Sequence, residues 1–213
     1  REGRDFRFDI RPLIRNGDKI IFSPVVVYEL SIMWESGIFD FYLPYEYGLD
    51  NLRTALMKWK TECEKQMEKD IEIVFKDMGY ITRRNLQLHK LDKKYGHPSD
   101  LGDYDVLAVD EVNKVVWNIE SKFLNKVGSL REYYNHQDSF FIRNKKDEKF
   151  SRRITYLESN VTPILHALGI IDCKNYSVKN YMVTNKVFYA DIKKVNFDIV
   201  SFCELKQLIN KFC

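Results

Sequence analysis

Residues 102–122 read GDYDVLAVDEVNKVVWNIESK, two apolar and β-branched runs separated by a polar turn. Runs of this kind predict two neighbouring β-strands joined as a hairpin. Successive side chains of a strand alternate between its faces, so Glu120 and Lys122 share one face and Trp117 points to the other. Asp105 lies on the partner strand. Buried charges are costly unless they are paired or hold a cation, and a divalent metal explains this convergence economically.

The segments on either side of the hairpin predict further helices and strands. Apolar residues recur every three or four positions from Asn51 to Met78, which indicates one long amphipathic helix that ends at Gly79. A second helical pattern runs straight through Pro163 and predicts one helix kinked at the proline. Strands are also predicted in YITRRNLQL, VKNYMVTN and NFDIV, and a closing helix in CELKQLINKF with Ser201 as its cap.

These elements predict an α/β fold with a central mixed β-sheet of about four or five strands. We expect the helix from residue 51 and the helix after residue 150 to pack against the sheet, with Trp117 and Ile119 facing them. Residues 51–213 are predicted to form this main domain. Residues 1–50 are predicted to form an N-terminal appendage made of a β-hairpin and a helix.

The appendage is predicted from turn and cap residues. Asn16-Gly17 indicates a tight hairpin turn, because both residues tolerate a positive φ. Ser23 and Pro24 then predict the start of a short, largely buried helix, and Gly37 predicts its end. The aromatic segment that follows, up to residue 50, has neither a helical nor a strand period and is interpreted as a connector.

Composition bounds the class of protein. The 213 residues are 45% hydrophobic, and 34 basic against 31 acidic residues give a net charge of +3, so the overall charge does not indicate a nucleic-acid partner. The four cysteines lie far apart and lack zinc-ligand spacing, which favours reduced thiols in a cytoplasmic protein. No run reaches the roughly 18 apolar residues of a membrane span. Because the chain opens at Arg1 without a methionine, we expect a fragment or a processed product of a longer chain.

The order of motifs resembles the PD-(D/E)xK nuclease superfamily, which includes restriction endonucleases, Mrr-like nucleases and Holliday-junction resolvases. MEKDIEIVFKDMGY resembles the first-helix motif, GDYDVL the strand with the metal aspartate, NIESK the acid-x-Lys strand, and YMVTN the later core strand. Glu68 matches the helix glutamate, with Glu64 one turn earlier as the alternative. Tyr104 stands where the family often has proline. The resemblance covers residues 51–213.

This resemblance implies a restriction-endonuclease-like core and a Mg²⁺-dependent endonuclease that hydrolyses phosphodiester bonds in DNA. Asp105, Glu120 and the backbone carbonyl of Ser121 would hold the metal, for which Mn²⁺ can substitute. Lys122 would stay protonated beside the carboxylates, position water and stabilise the charge of the phosphate. Such a nuclease would be the module of a larger bacterial or phage-related protein, with further domains or subunits elsewhere and a homodimer as one arrangement.

A basic stretch follows the acid-x-Lys strand. RNKKDEKFSRR, residues 143–153, is a candidate for contact with the phosphate backbone. The alternative is an ordinary solvated loop and helix start. The candidate contacts are Arg143, Lys145, Lys146, Arg152 and Arg153.

Other interpretations of the same residues stay open. Asp105, Glu120 and Lys122 could form a structural ion pair on a strand face, and Glu68 could be a plain surface charge. Asp103 is better explained as a loop acid, or as a residue that supports a metal ligand, than as a direct ligand. Near the site, His136 is a weak candidate for substrate contact. The fold could also serve a catalytically silent nucleic-acid-binding or scaffolding module, or a nuclease that acts on RNA.

Overall fold

The computed structural model describes residues 13–39, 50–91, 101–125, 130–188 and 195–210. The chain divides into two compact units, residues 1–61 and 62–213. This boundary falls inside the long helix predicted from residue 51. A separate appendage over residues 1–50 stays a prediction, and most of the predicted connector lies outside the described residues.

The first unit contains an antiparallel hairpin of β1 (Ile14–Asn16) and β2 (Lys19–Ile21). Asn16 pairs with Lys19, so the turn consists of Gly17 and Asp18, one residue later than predicted. Gly17 has a φ of +61°, and it adopts this region at little cost because it has no Cβ. The hairpin is therefore confirmed, but the turn is centred on the glycine.

Helix α1 (Pro24–Phe39) follows the hairpin. Its predicted start is confirmed, since the Ser23 hydroxyl accepts a hydrogen bond from the Val26 amide at 3.5 Å. Its predicted end at Gly37 is wrong, because α1 continues past this residue; a glycine inside a helix costs only about 1 kcal/mol. The predicted burial is also wrong, since Val25 and Tyr28 are exposed.

The remaining elements belong to the second unit, except that the residues of the long helix up to Thr61 are assigned to the first. They are α2 (Asp50–Asp77), β3 (Ile81–Gln87), α3 (Leu88–Leu91), β4 (Asp103–Asp110), β5 (Val115–Lys122), α4 (Leu130–Gln137), a π-helix (Asp138–Arg143), α5 (Lys146–Ser159), α6 (Val161–Ala167), β6 (Ser177–Thr184), β7 (Asp198–Ser201) and α7 (Phe202–Asn210).

The central sheet has five strands in the order β3-β4-β5-β6-β7. The β3–β4 and β4–β5 pairs are antiparallel, whereas the β5–β6 and β6–β7 pairs are parallel. A parallel pair needs a long connection between its strands, and α4, the π-helix, α5 and α6 lie in the segment between β5 and β6. The predicted α/β fold with a mixed sheet is confirmed.

Helices cover both faces of this sheet. Trp117 and Ile119 pack with Phe75 of α2 and Leu205 of α7 on one face. Leu157 of α5 belongs to the core on the other face. The expectation that Trp117 and Ile119 also face the helix after residue 150 is therefore wrong, because that helix covers the face to which the alternate strand residues point.

The helical segment after residue 145 is two helices instead of one kinked helix. Asn160, with φ −130° and ψ 28°, separates α5 from α6. Pro163 lies in the first turn of α6, where a residue without an N–H loses no intrahelical hydrogen bond. The proline is thus accommodated by a new helix start rather than by a kink.

Ser201 caps the closing helix α7, as predicted. The Ser201 hydroxyl accepts a hydrogen bond from the Glu204 amide at 3.3 Å, and the Glu204 carboxylate accepts one from the Ser201 amide at 2.6 Å. This reciprocal pair is a capping box. In the parts of the chain that the structure describes, no helix combines the length and the apolar character needed to cross a bilayer.

Candidate active site

The β4–β5 hairpin brings Asp105 and Glu120 together. Val106 pairs with Ile119 in the antiparallel ladder, so the residues one step further along each strand, Asp105 and Glu120, lie opposite each other. Their side chains are only 15% and 7% exposed. The hairpin therefore holds two carboxylates side by side and largely out of water.

Lys122 places its ammonium among three oxygen atoms of this cluster. Its Nζ lies 2.6 Å from Glu120 Oε1 and 3.8 Å from Asp105 Oδ2, and it donates a hydrogen bond to the Ser121 carbonyl at 3.0 Å. These three oxygens are the metal donors that the resemblance described above implies. The positive charge of the lysine therefore lies where a metal cation would bind. All three donors are oxygen atoms, which suits a hard ion such as Mg²⁺.

The electrostatics of the cluster reflect burial and crowding of negative charge. Burial, and then the neighbouring charge of Glu120, raise the pKa of Asp105 to about 7, although Lys122 and the Ser121 amide oppose this. That amide donates a hydrogen bond to Asp105 Oδ2 at 2.7 Å. Burial alone would lower the pKa of Lys122, but the charges of Glu120 and Asp105 hold it above its ordinary value. Lys122 is therefore positively charged at neutral pH.

Arg153 belongs to the same cluster, which the sequence did not indicate. Its guanidinium forms an ion pair with Glu120 Oε2, and its backbone carbonyl accepts a hydrogen bond from the Tyr104 hydroxyl at 3.0 Å. Arg153 was predicted to contact phosphate at the surface, but the structure buries it. Its spacing from Phe150 and Leu157, three and four positions away on the apolar face of α5, is the signal that predicts burial.

Glu68 of α2 also interacts with the cluster. Burial raises its pKa, while a hydrogen bond from the Asn85 side chain and the positive charge of Lys122 are among the interactions that lower it. Asn85 has a φ of +51°, and the β3–β4 ladder skips this residue at the position opposite Asp105. Asn85 was not predicted from the sequence. These electrostatic interactions link Glu68 with the carboxylate cluster, and its catalytic role stays a prediction.

Two other predicted nucleic-acid contacts, Arg143 and Lys145, form ion pairs with residues outside the carboxylate cluster. Arg143 pairs with Asp138 at 2.5 Å, and Lys145 pairs with Glu148 at 3.2 Å. The side chain of His136 is outside the described side chains. Four of the five predicted contacts in this basic stretch are exposed, namely Arg143, Lys145, Lys146 and Arg152. Their contact with phosphate stays a prediction.

The donors near Lys122 are two carboxylates and a backbone carbonyl, not a larger cluster of side chains. Within the described residues, no group of three or more His, Cys, Asp or Glu side chains is arranged to hold a metal ion. Cys63, Cys173 and Cys203 are free thiols. A metal at this site would therefore have to take its third protein donor from the Ser121 carbonyl and complete its coordination with water.

Comparison of the chain with protein-family models, with curated proteins and with solved structures gives no match. The resemblance to PD-(D/E)xK nucleases thus rests on the order of the motifs in this chain.

Proposed function

We propose that this chain is a metal-dependent nuclease that hydrolyses phosphodiester bonds in DNA. One observation carries the proposal: the Lys122 ammonium lies among Asp105 Oδ2, Glu120 Oε1 and the Ser121 carbonyl oxygen. Two largely buried carboxylates and a carbonyl around one cation position supply the hard oxygen donors that Mg²⁺ binds. A lysine beside them supplies positive charge where a phosphate would gain negative charge.

Each residue has a distinct role in this proposal. Asp105, Glu120 and the Ser121 carbonyl hold Mg²⁺ or Mn²⁺, which when bound supplies Lewis-acid activation of water and of the phosphate. Lys122 stays protonated between the two carboxylates, so it stabilises charge on the phosphate instead of accepting a proton. Glu68 lies close enough to interact with Lys122 and helps to orient it.

A catalytically silent nucleic-acid-binding or scaffolding module is the second candidate. Both oxygens of Glu120 already have cationic partners, Lys122 and Arg153, without any metal. In that case, the cluster is a structural ion-pair network. A nuclease that acts on RNA would use the same residues as one that acts on DNA, so the choice of nucleic acid must be tested directly.

Incubation of the purified chain with plasmid, linear DNA and RNA tests these candidates, with Mg²⁺, Mn²⁺ or EDTA in parallel. We expect DNA cleavage with either metal and none with EDTA. Asp105→Asn should reduce cleavage by more than the roughly 10–100-fold that loss of a residue supporting a metal ligand costs. Asp172→Asn is the matched control, because Asp172 is exposed and pairs with Lys114. DNA that is bound but never cut would support the catalytically silent module. Cleavage of RNA alone would show that the nuclease acts on RNA instead of DNA.

A further inference from the structure

The two oxygens of the Glu120 carboxylate have different cationic partners. Lys122, two residues along the same strand, pairs with Oε1. Arg153 reaches Oε2 from α5, a separate element. Lys122, on Oε1, also lies near Asp105 Oδ2 and the Ser121 carbonyl, whereas Arg153 pairs with Oε2.

Arg153 is held in place by its surroundings. The Tyr104 hydroxyl donates a hydrogen bond to the Arg153 carbonyl at 3.0 Å, which ties α5 to the strand residue next to Asp105. The guanidinium carbon lies 5.7 Å from the centroid of the Phe150 ring. At Gly102, a Cβ would lie 3.5 Å from Arg153 Nη1, so the backbone packs against the guanidinium.

The Arg153 guanidinium pairs with Glu120, but one of its own hydrogen-bond donors has no partner among the described residues. Its Nε is buried and has no hydrogen-bond partner among the described residues. Buried donors without a partner are uncommon, since each one loses its hydration without compensation. The side chain thus adopts an orientation that satisfies Oε2 of Glu120 and leaves one of its own donors unsatisfied.

We propose that Arg153 is a positioning residue that restricts Glu120 to metal binding through Oε1 alone. The inference rests on the proposed function. A carboxylate can bind a cation through one or both oxygens, and an arginine on Oε2 leaves only Oε1 available. Its positive charge also offsets one of the two carboxylate charges, which weakens the attraction for the metal. Arg153 touches neither the metal nor the phosphate and acts through Glu120.

Metal binding and cleavage, measured separately on the full chain, test this inference. Mg²⁺ affinity is measured by calorimetry without nucleic acid, and single-turnover DNA cleavage is measured at saturating Mg²⁺. Arg153→Met should bind Mg²⁺ severalfold more tightly, because a positive charge is lost and Oε2 is released. Its cleavage should nevertheless fall by about tenfold or more, the range for residues that support a metal ligand. Arg153→Lys should keep the wild-type affinity and recover part of the cleavage.

Lys114→Met is the matched control, since it also removes one cation from an ion pair, with Asp172 at 2.8 Å, outside the carboxylate cluster. It should leave both readouts unchanged. Unchanged cleavage in Arg153→Met, or weaker Mg²⁺ binding together with a lower Tm, would overturn the positioning role alone. A wild-type chain that neither binds Mg²⁺ nor cleaves would overturn the proposed function as well. Should Arg153→Met fail to fold, Arg153→Gln decides: reduced cleavage without weaker Mg²⁺ binding supports the inference, and wild-type cleavage refutes it.

Discussion

At the scale of single residues, the two carboxylates of the cluster differ in how their charge is compensated. Glu120 has a cation on each oxygen, Lys122 on one and Arg153 on the other. Asp105 has the Ser121 amide at 2.7 Å, but its nearest cation, Lys122, is 3.8 Å away. Of the two carboxylates, Asp105 would therefore be stabilised more by an added metal ion. Its charge is also the less well compensated of the two when no metal is bound.

Asp105 should make the stability of the metal-free protein depend on pH. Its pKa is about 7 in the folded chain and near 3.8 when exposed, so the folded state binds more protons between these values. Its contribution to stability is fully present below about pH 4 and is lost as the pH rises towards 7. In EDTA, Asp105→Asn should lack this dependence and melt several degrees higher than wild type at pH 8, since about 1 kcal/mol shifts Tm by roughly 2–4 °C.

Thermal melts of both proteins at pH 5 and pH 8 check this prediction. If the Tm of wild type and of Asp105→Asn depended equally on pH, ionisation of Asp105 would not destabilise the folded protein, which contradicts the prediction.

Glu120→Gln should have the opposite effect on Tm, because it leaves the side chains of Lys122 and Arg153 without their carboxylate partner. Removing one partner of a buried ion pair lowers the free energy of unfolding by about 3–5 kcal/mol. This variant should therefore melt at a lower temperature than wild type at either pH.

Lys122 should oppose metal binding while supporting cleavage, because its ammonium contacts the same three oxygens that would hold the ion. Lys122→Met keeps much of the aliphatic stem and removes the charge. We expect it to bind Mg²⁺ at least as tightly as wild type and to lose most single-turnover cleavage of DNA. Calorimetry, cleavage assays and melts on the same preparation check this. Near-normal cleavage with a lower Tm would leave the lysine only a structural role.

At the scale of elements, the hairpin was predictable from two apolar, β-branched runs around a polar turn, and the long helix from its regular apolar period. The β4–β5 strands alternate faces, and α2 repeats its apolar residues every three or four positions. Arg153 was not recognised, because the basic residues around it suggested a solvated segment, although helical spacing places it on the apolar face of α5. The helix break at Asn160 was missed because apolar spacing continues across it.

The distortion of β3 at Asn85 is a further feature that apolar spacing could not reveal. Asn85 adopts a φ of +51° and donates a hydrogen bond to Glu68 from its side chain. Asn85→Gly should retain this backbone conformation and lose only the hydrogen bond, whereas Asn85→Ala should lose the bond and strain the backbone as well. We therefore expect Asn85→Ala to melt at a lower temperature than Asn85→Gly.

Cleavage by the two Asn85 variants separates the function of this residue from its backbone geometry. Both variants should show a similar decrease in single-turnover cleavage of DNA, because both remove the hydrogen bond from residue 85 to Glu68. Gly17→Ala is the control for the cost of a positive φ, since Gly17 has a φ of +61° in the hairpin turn of the first unit. Wild-type cleavage in Asn85→Gly would show that Asn85 is needed for the fold of β3 and not for Glu68.

At the scale of the whole molecule, net charge says little about the partner. A sum of +3 arises from 34 basic and 31 acidic residues, so any attraction for nucleic acid depends on where the charges lie. The second unit holds the carboxylate cluster and the exposed basic side chains of the stretch from residue 143. Because Arg153 is directed to Glu120, four of the five candidate phosphate contacts in that stretch remain.

Replacing Arg143, Lys145 and Lys146 by glutamine should weaken DNA binding with little regard to sequence. Each lost phosphate contact reduces the slope of log affinity against log salt concentration by roughly 0.9, because fewer counterions are released. Binding titrations with a catalytically inactive Asp105→Asn background, at several salt concentrations, measure this slope. The control replaces Lys90, Lys174 and Lys206, three exposed lysines elsewhere in the second unit, and removes the same net charge. Equal slopes for the two triple variants would mean that the stretch from residue 143 contributes only general charge, whereas a lower slope for the first alone would identify it as the surface that contacts phosphate.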